Sequence, residues 1–218
     1  MIPLRSTLRV SSRTLVVALL VAINLLIFVY EFRLDQASFG ELLRRWGMVP
    51  DQLRRQPYSP ISYMFLHGSW LHLIGNMLFL WVFGRNLEDS TGSARFLLFY
   101  LACGLIAAAG HFAVNPYSVN PTVGASGAIA GVMGAFLVKF PRTYIVTLVP
   151  IFLFLTTAEV PAWLMLLYWL FIQLVSGFGS LGNVNYMSGG AAWFAHIAGF
   201  IAGMLLIRLF PVHALQTE

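Results

Sequence analysis

Long apolar runs separated by short polar segments dominate this chain of 218 residues. A helix needs about 20 apolar residues to cross the hydrocarbon core of a bilayer. Six runs approach that length, and we interpret them as transmembrane helices. They cover approximately residues 15–30, 69–83, 96–113, 125–140, 162–178 and 191–210. The pattern therefore predicts an all-α fold, in which residues 1–218 form a single membrane domain.

Three segments between these runs have a different character. Residues 31–65 include the only long charged stretch, and its short amphipathic patterns predict an interfacial first loop. Residues 143–157 are apolar, but they contain Pro150 and are too short to span, so we expect a re-entrant or interfacial segment. Residues 179–190 form a polar, glycine-rich loop.

The composition supports a polytopic membrane protein. Hydrophobic residues make up 59% of the chain and charged residues 10%, and the mean hydropathy is +0.79. The net charge of +5 does not indicate a nucleic-acid partner, because the basic residues lie at segment ends and in one loop, without interleaved aromatics. The single cysteine, Cys103, excludes an intramolecular disulfide and any multi-cysteine metal site.

Charge also predicts the orientation. Residues 1–13 carry three arginines before the first apolar run, which could form a signal peptide. No small-residue cleavage site follows Tyr30, so we expect a retained first span. Six spans place both termini on one side, and that side carries more of the basic residues. The bias predicts a cytoplasmic N-terminal segment at 1–13 and cytoplasmic termini. We expect the membrane to be a bacterial inner membrane.

A candidate nucleophile lies where a polar loop meets the fourth apolar run, in Gly124-Ala125-Ser126-Gly127. The free backbone N–H groups and positive dipole end of a helix N-terminus suit a developing oxyanion. The fourth run is also short for a hydrocarbon core of roughly 30 Å, so Ser126 is expected below the membrane surface. Alternatively, the four residues form a small-residue packing motif.

Polar side chains inside apolar spans are costly and usually functional. His72 and Asn76 are four residues apart and share a helix face. His196 shares a face with Gly199 and Gly203, which permit close approach of a partner helix. The fourth span has a matching stripe of small residues at Gly127, Ala130, Gly131 and Gly134. Packing the two stripes together would bring His196 beside Ser126.

Structural roles remain open for each of these polar residues. A lone intramembrane histidine is often a hydrogen-bonding residue, and His72 with Asn76 could form an interhelical clamp. His67, at the mouth of the second span, could fix the loop instead of contacting substrate. A nucleophile, a base and an amide donor on three separate spans together favour a catalytic site.

The chemistry predicted for this site is a serine–histidine dyad. After Ser90 the only acids are Glu159 and Glu218, and both lie across the bilayer from Ser126 in the six-span topology. We therefore predict that His196 accepts the Ser126 proton without a carboxylate partner. His72 and His196 have no nearby carboxylate or thiolate to complete a metal site, so neither a metal nor a cofactor is predicted.

These motifs resemble the rhomboid family of intramembrane serine proteases, and the resemblance extends from about residue 57. Its motifs are His67, His72-x-x-x-Asn76, Gly84-Arg85-x-Leu87-Glu88, Gly124-Ala125-Ser126-Gly127 and Ala195-His196-x-x-Gly199-x-x-x-Gly203. The resemblance implies that Ser126 is the nucleophile, His196 the base, and His72, Asn76 and the Ser126 backbone N–H the oxyanion hole. It also implies that the first loop is half-submerged and that the fifth span is a lateral gate for substrate.

Two features depart from the family pattern. Family members often carry an aromatic residue one turn after the serine, stacked on the catalytic histidine, but this chain has Ala130 there. Either some other ring supports His196, or the imidazole is held less firmly. The insertion at 143–157 is also longer than a simple turn.

The expected function is endoproteolysis of single-pass transmembrane proteins within membrane lipids. Substrate would unwind near its outer end, and water would enter through a polar cavity lined by His67, His72 and Asn76. One alternative is a rhomboid-like protein that binds or dislocates membrane helices without cutting them. A transporter fits less well, because the chain shows neither an inverted repeat nor paired intramembrane charges. The sequence makes no prediction of oligomeric state.

Overall fold

The computed structural model describes residues 2–10, 14–151, 154–180 and 192–215. The first half contains β1 (Ile2–Ser6), α1 (Leu15–Glu31), α2 (Gln36–Trp46), α3 (Ser59–Ser62), α4 (Trp70–Phe79), α5 (Arg85–Thr91) and α6 (Ser93–Val114). The second half contains α7 (Ser126–Lys139), β2 (Tyr144–Ile151), β3 (Phe154–Pro161), α8 (Ala162–Ser180) and α9 (Trp193–Leu206). A π-helical segment, Leu80–Gly84, joins α4 to α5. The glycine-rich loop predicted at 179–190 lies mostly outside the described residues.

Helix α7 forms the centre of the bundle, and its residues from Gly127 to Phe136 are all buried. It packs against α9 through the two predicted stripes of small residues. A Cβ atom added to Gly203 would collide with the Gly131 carbonyl, and one added to Gly134 would collide with the Phe200 carbonyl. Such close backbone approach is how helices associate in lipid, where the hydrophobic effect gives no driving force. The predicted packing of the stripes is confirmed.

The six predicted spans all correspond to helices, but their lengths differ. Within the described residues, Ser93–Val114 and Ala162–Ser180 are long and apolar enough to cross a bilayer alone. A third span is obtained if the bent pair Ser59–Phe65 and Trp70–Thr91, at 97°, counts as one. The remaining apolar helices are shorter: Leu15–Glu31, Ser126–Lys139 and Trp193–Leu209. Six complete transmembrane helices therefore stay a prediction.

The described chain is mostly helical, as predicted, but it also contains an antiparallel sheet ordered β1-β2-β3, which the all-α prediction did not include. The 143–157 segment, expected to be re-entrant or interfacial, supplies β2 and the start of β3. Its side chains alternate as in a strand, with Ile145 and Thr147 buried and Tyr144 exposed. The N-terminal strand completes the sheet by pairing with β2 from Ile2 opposite Leu148.

Two carboxylates hold the ends of α1. The Glu88 carboxylate accepts the backbone N–H groups of Val16, at 2.9 Å, and Val17, at 2.8 Å, so it caps the helix start. At the other end, Glu31 accepts the backbone N–H of His67 at 3.1 Å. The acidic residue of the Gly84-to-Glu88 motif therefore has a structural role here.

The first loop contains helix α2, in which none of the described residues is buried. Asp35 caps this helix by accepting the backbone N–H of Ser38 at 2.8 Å. The same hydrogen bond lowers the pKa of Asp35, because it stabilises the charged carboxylate. The interfacial position of residues 31–65 stays a prediction.

Candidate active site

The structure brings Ser126 and His196 together although they are 70 positions apart in the chain. Ser126 Oγ lies 2.7 Å from His196 Nε2, within hydrogen-bonding distance. The contact follows from the packing of α7 on α9, since each residue lies near the N-terminal end of its helix. Both side chains are half-buried. The predicted proximity of these two groups is confirmed.

Ser126 is also the first residue of α7, as the sequence predicted within one position. The preceding residue, Ala125, gives the helix no side-chain cap. The N–H groups of the first helical turn have no intrahelical acceptor, so they can donate to an anion at this end. A negative charge that develops beside Ser126 would therefore be stabilised by backbone donors and by the helix dipole.

Gln173 of α8 holds the other side of the imidazole. His196 Nδ1 lies 2.7 Å from Gln173 Oε1, and Gln173 Nε2 donates to the Trp169 carbonyl at 3.3 Å. The second bond requires the amide NH₂ at that end, so the Gln173 oxygen faces His196. An oxygen can only accept, so Nδ1 carries the proton and Nε2 is left to accept one from Ser126.

Sequence reasoning missed Gln173 because it searched for a carboxylate. The available signal was the buried amide itself: Gln173 is 5% exposed in an otherwise apolar helix, and polar groups at such positions are usually paired or functional.

Two tryptophans supply the aromatic support that Ala130 does not. The Trp169 ring lies 5.8 Å from the His196 ring and 6.0 Å from the Phe200 ring, on which it stacks. Trp193 meets the imidazole edge-on at 6.2 Å. His196 is therefore flanked by rings from α8 and from its own helix.

A cavity of about 290 Å³ opens beside the dyad and brings in the second span. His72 and Asn76 line it together with Ser126 and His196. Gly124 permits this approach for two reasons: its φ is +123°, and an added Cβ would lie 2.6 Å from His72 Nε2. The predicted donor residues thus share one cavity with the predicted dyad.

His67 does not line this cavity, so the expectation that it would is wrong. It lies behind Asn76, fully buried, with its Nε2 atom 2.9 Å from Asn76 Nδ2. Its ring also meets the His72 ring edge-on at 5.1 Å. His67 therefore contacts both cavity residues from the protein side.

The remaining supporting glycines serve close packing. A Cβ on Gly127 would lie 2.7 Å from Ala107 Cβ, and one on Gly199 would collide with the Gly127 carbonyl. In the described part of the chain, no three histidine, cysteine or acidic side chains are grouped as a metal site would need.

The chain also matches a known protein family. A family model described as "Rhomboid domain" matches residues 54–211, which include every residue of the candidate site. The chain belongs to the rhomboid family. Members are generally intramembrane serine proteases, and the family implies an integral membrane protein.

Several curated relatives carry protease names. "Rhomboid protease GluP" of Bacillus subtilis (strain 168) is 36% identical over 121 residues, which cover 55% of this chain and 23% of that protein. "RHOMBOID-like protein 5" of Arabidopsis thaliana is 34% identical over 166 residues, or 75% of this chain and 48% of that protein. "Rhomboid-like protease 5" of Toxoplasma gondii is 32% identical over 188 residues, which cover 83% of this chain and 18% of that protein. This rhomboid chain spans less than half the length of these relatives.

These relatives support a hydrolase of the protease kind. They come from bacteria, plants and a parasite, and "Rhomboid protein 1, mitochondrial" of Saccharomyces cerevisiae is a further match. That range does not support the predicted assignment to a bacterial inner membrane.

Proposed function

We propose that this rhomboid is an intramembrane serine endopeptidase with Ser126 as nucleophile and His196 as general base. The observation that carries the proposal is the 2.7 Å contact between Ser126 Oγ and His196 Nε2. The opposite nitrogen of the same ring lies 2.7 Å from a hydrogen-bond acceptor, Gln173 Oε1. A nucleophile, a base and a group that orients the base thus form one connected chain.

Each group has a defined role in peptide hydrolysis. Ser126 Oγ attacks the scissile carbonyl carbon while His196 Nε2 takes the hydroxyl proton. The resulting imidazolium keeps its Nδ1–H on Gln173 and gives the Nε2 proton to the leaving amine as the C–N bond breaks. Water then attacks the carbonyl carbon of the acyl-enzyme while His196 Nε2 takes one of its protons. His196 returns that proton to Ser126 Oγ as the ester C–O bond breaks, and the acid product leaves.

The oxyanion would be bound from two directions. The Ser126 backbone N–H lies at the start of α7, and His72 and Asn76 reach the same cavity from α4. Asn76 Nδ2 has His67 as a partner, which holds the amide plane while its second N–H remains available to the cavity. Preorganised donors of this kind usually give the largest electrostatic contribution to catalysis.

Rhomboid proteases act on transmembrane substrates in membranes, and the proposed substrate is a single-pass transmembrane helix. A helical peptide bond has its carbonyl engaged, so the substrate must unwind, and small or helix-breaking residues are expected near the cleaved bond. Trp169 and Gln173 place α8 at the edge of the cavity, which suits the role of lateral gate. Cytoplasmic termini and a bacterial inner membrane stay predictions.

Serine-directed labelling tests this function. A fluorophosphonate should label the wild-type protein but not Ser126→Ala or His196→Ala, and the same variants should fail to cleave a tagged transmembrane substrate. Ser118→Ala is the matched control, because Ser118 lies in the loop before α7 and outside the cavity lining. Equal cleavage by wild type and Ser126→Ala would refute the mechanism. Binding of substrate without labelling or cleavage would instead favour a helix-binding protein.

A further inference from the structure

A second cavity lies far from the dyad, between β1 and the end of the second span. Its volume is about 400 Å³. The span residues that line it are Trp81, Val82, Arg85 and Asn86. Arg85 follows His72 by 13 positions, or about 20 Å along the helix axis. The cavity therefore opens toward the opposite side of the bundle from Ser126.

Three arginines line this cavity. Arg5 and Arg9 come from the N-terminal segment and Arg85 from α5, and none of the described lining residues is acidic. The Arg85 guanidinium is fixed, because Nε donates to Thr14 Oγ1 at 3.1 Å and the group lies 4.6 Å over the Trp81 ring. Guanidinium groups in such a cluster match the oxygen geometry of a phosphate.

The walls of the cavity are held in place before any ligand arrives. Ser6 and Asn86 exchange hydrogen bonds of 3.1 and 2.9 Å, and Asn86 also donates to the Val82 carbonyl at 2.7 Å. These buried bonds attach β1 to the second span. A preorganised site loses less free energy on ordering when it binds a ligand.

The lining is amphiphilic as well as basic. Leu4, Leu8 and Val10 lie beside the arginines, and the Trp81 ring is 43% exposed. Exposed tryptophan is typical of the headgroup level of a bilayer, and basic pockets there bind anionic lipid headgroups. A free phosphate ion would use only the arginines, whereas a phospholipid would also use the apolar wall.

We propose that Arg5, Arg9 and Arg85 form a binding site for the phosphate group of an anionic phospholipid. The site does not depend on the proteolytic mechanism, since none of its residues lines the cavity of the dyad. A lipid bound there would join β1 to the second span and so stabilise the folded protein.

Thermal unfolding in detergent tests the site with defined probes. We expect dihexanoyl-phosphatidylglycerol to raise Tm at lower concentrations than dihexanoyl-phosphatidylcholine. The double variant Arg5→Gln/Arg9→Gln should weaken the apparent affinity for phosphatidylglycerol by about fivefold per arginine, or roughly 25-fold in all. Arg142→Gln is the matched control, since Arg142 is exposed near the start of β2 and does not line the cavity.

A parallel titration with inorganic phosphate separates the two possible sources of the phosphate group. Stabilisation by phosphatidylglycerol but not by phosphate assigns the site to a lipid. Equal stabilisation by phosphate at the same concentration would overturn the lipid assignment and leave an ion site. The site itself would be overturned if phosphatidylglycerol raised Tm no more effectively than phosphatidylcholine. It would also be overturned if Arg142→Gln lost as much apparent affinity for phosphatidylglycerol as the double variant does. Native mass spectrometry of retained lipid checks the result without relying on Tm.

Discussion

Replacing Gln173 by methionine should slow acylation of Ser126 while leaving the bundle folded. Methionine has a similar length and shape but offers no strong acceptor for His196 Nδ1, which lies 2.7 Å from the native amide oxygen. The bond matters most when His196 holds the serine proton, because it then joins a charged ring to a carbonyl. Hydrogen bonds to charged groups contribute about 1.5–3 kcal/mol. Loss of that contribution corresponds to a rate about 10- to 150-fold lower.

A companion variant separates positioning from packing. Gln173→Glu keeps an oxygen at the same distance from Nδ1, so it should recover labelling relative to Gln173→Met. A residue that only filled space would show the opposite order, because burying a carboxylate is more costly than burying a thioether. Rescue by the variant that preserves the acceptor is therefore diagnostic of orientation.

The assay is the second-order rate of fluorophosphonate labelling, with substrate cleavage and thermal unfolding measured on the same preparations. Ile172→Met is the control, since Ile172 is the adjacent residue on α8 and is 38% exposed. Labelling of Gln173→Met within about twofold of wild type would refute the orienting role. That result would leave the proposed roles of Ser126 as nucleophile and His196 as base untouched, because Ser126→Ala tests those roles separately.

Two further substitutions test features that support the site. Gly124→Ala places a Cβ 2.6 Å from His72 Nε2 at a φ of +123°, so backbone strain of about 1–3 kcal/mol and a displaced His72 should reduce cleavage at least tenfold. Gly68→Ala is the control and should cleave at the wild-type rate, because Gly68 has open space around it. Equal cleavage by the two variants would contradict this account. Glu88→Ala removes the acceptor of two backbone N–H groups and should lower the free energy of unfolding in detergent by about 2–4 kcal/mol. Glu41→Ala, on the exposed face of α2, should leave the free energy of unfolding unchanged. Identical unfolding curves for the two variants would exclude the capping role of Glu88.

The parts of the site that depend on local pattern could be predicted from the sequence. Small residues at helical spacing identified the α7–α9 interface, and that interface fixed the meeting of Ser126 and His196. The sheet could not be predicted, because β1 pairs with a strand about 140 residues later and neither strand shows its partner locally. Gln173 was overlooked for a chemical reason, since an amide can orient an imidazole as an acid does while remaining uncharged in the membrane.

Helix α1 sets a fixed distance and rotation between the two contacts at its ends. It lies entirely outside the region matched to the family, which starts at residue 54. Its 17 residues separate the helix start, which Glu88 caps, from Glu31, which accepts the backbone N–H of His67. Inserting one alanine in its middle would turn Glu31 by about 100° and shift it by about 1.5 Å. His67 would lose its backbone acceptor, and Asn76 would lose the alignment that His67 gives it. Activity in this rhomboid should therefore depend on the helical phase of a segment that contributes no residue to the described lining of the cavity beside the dyad.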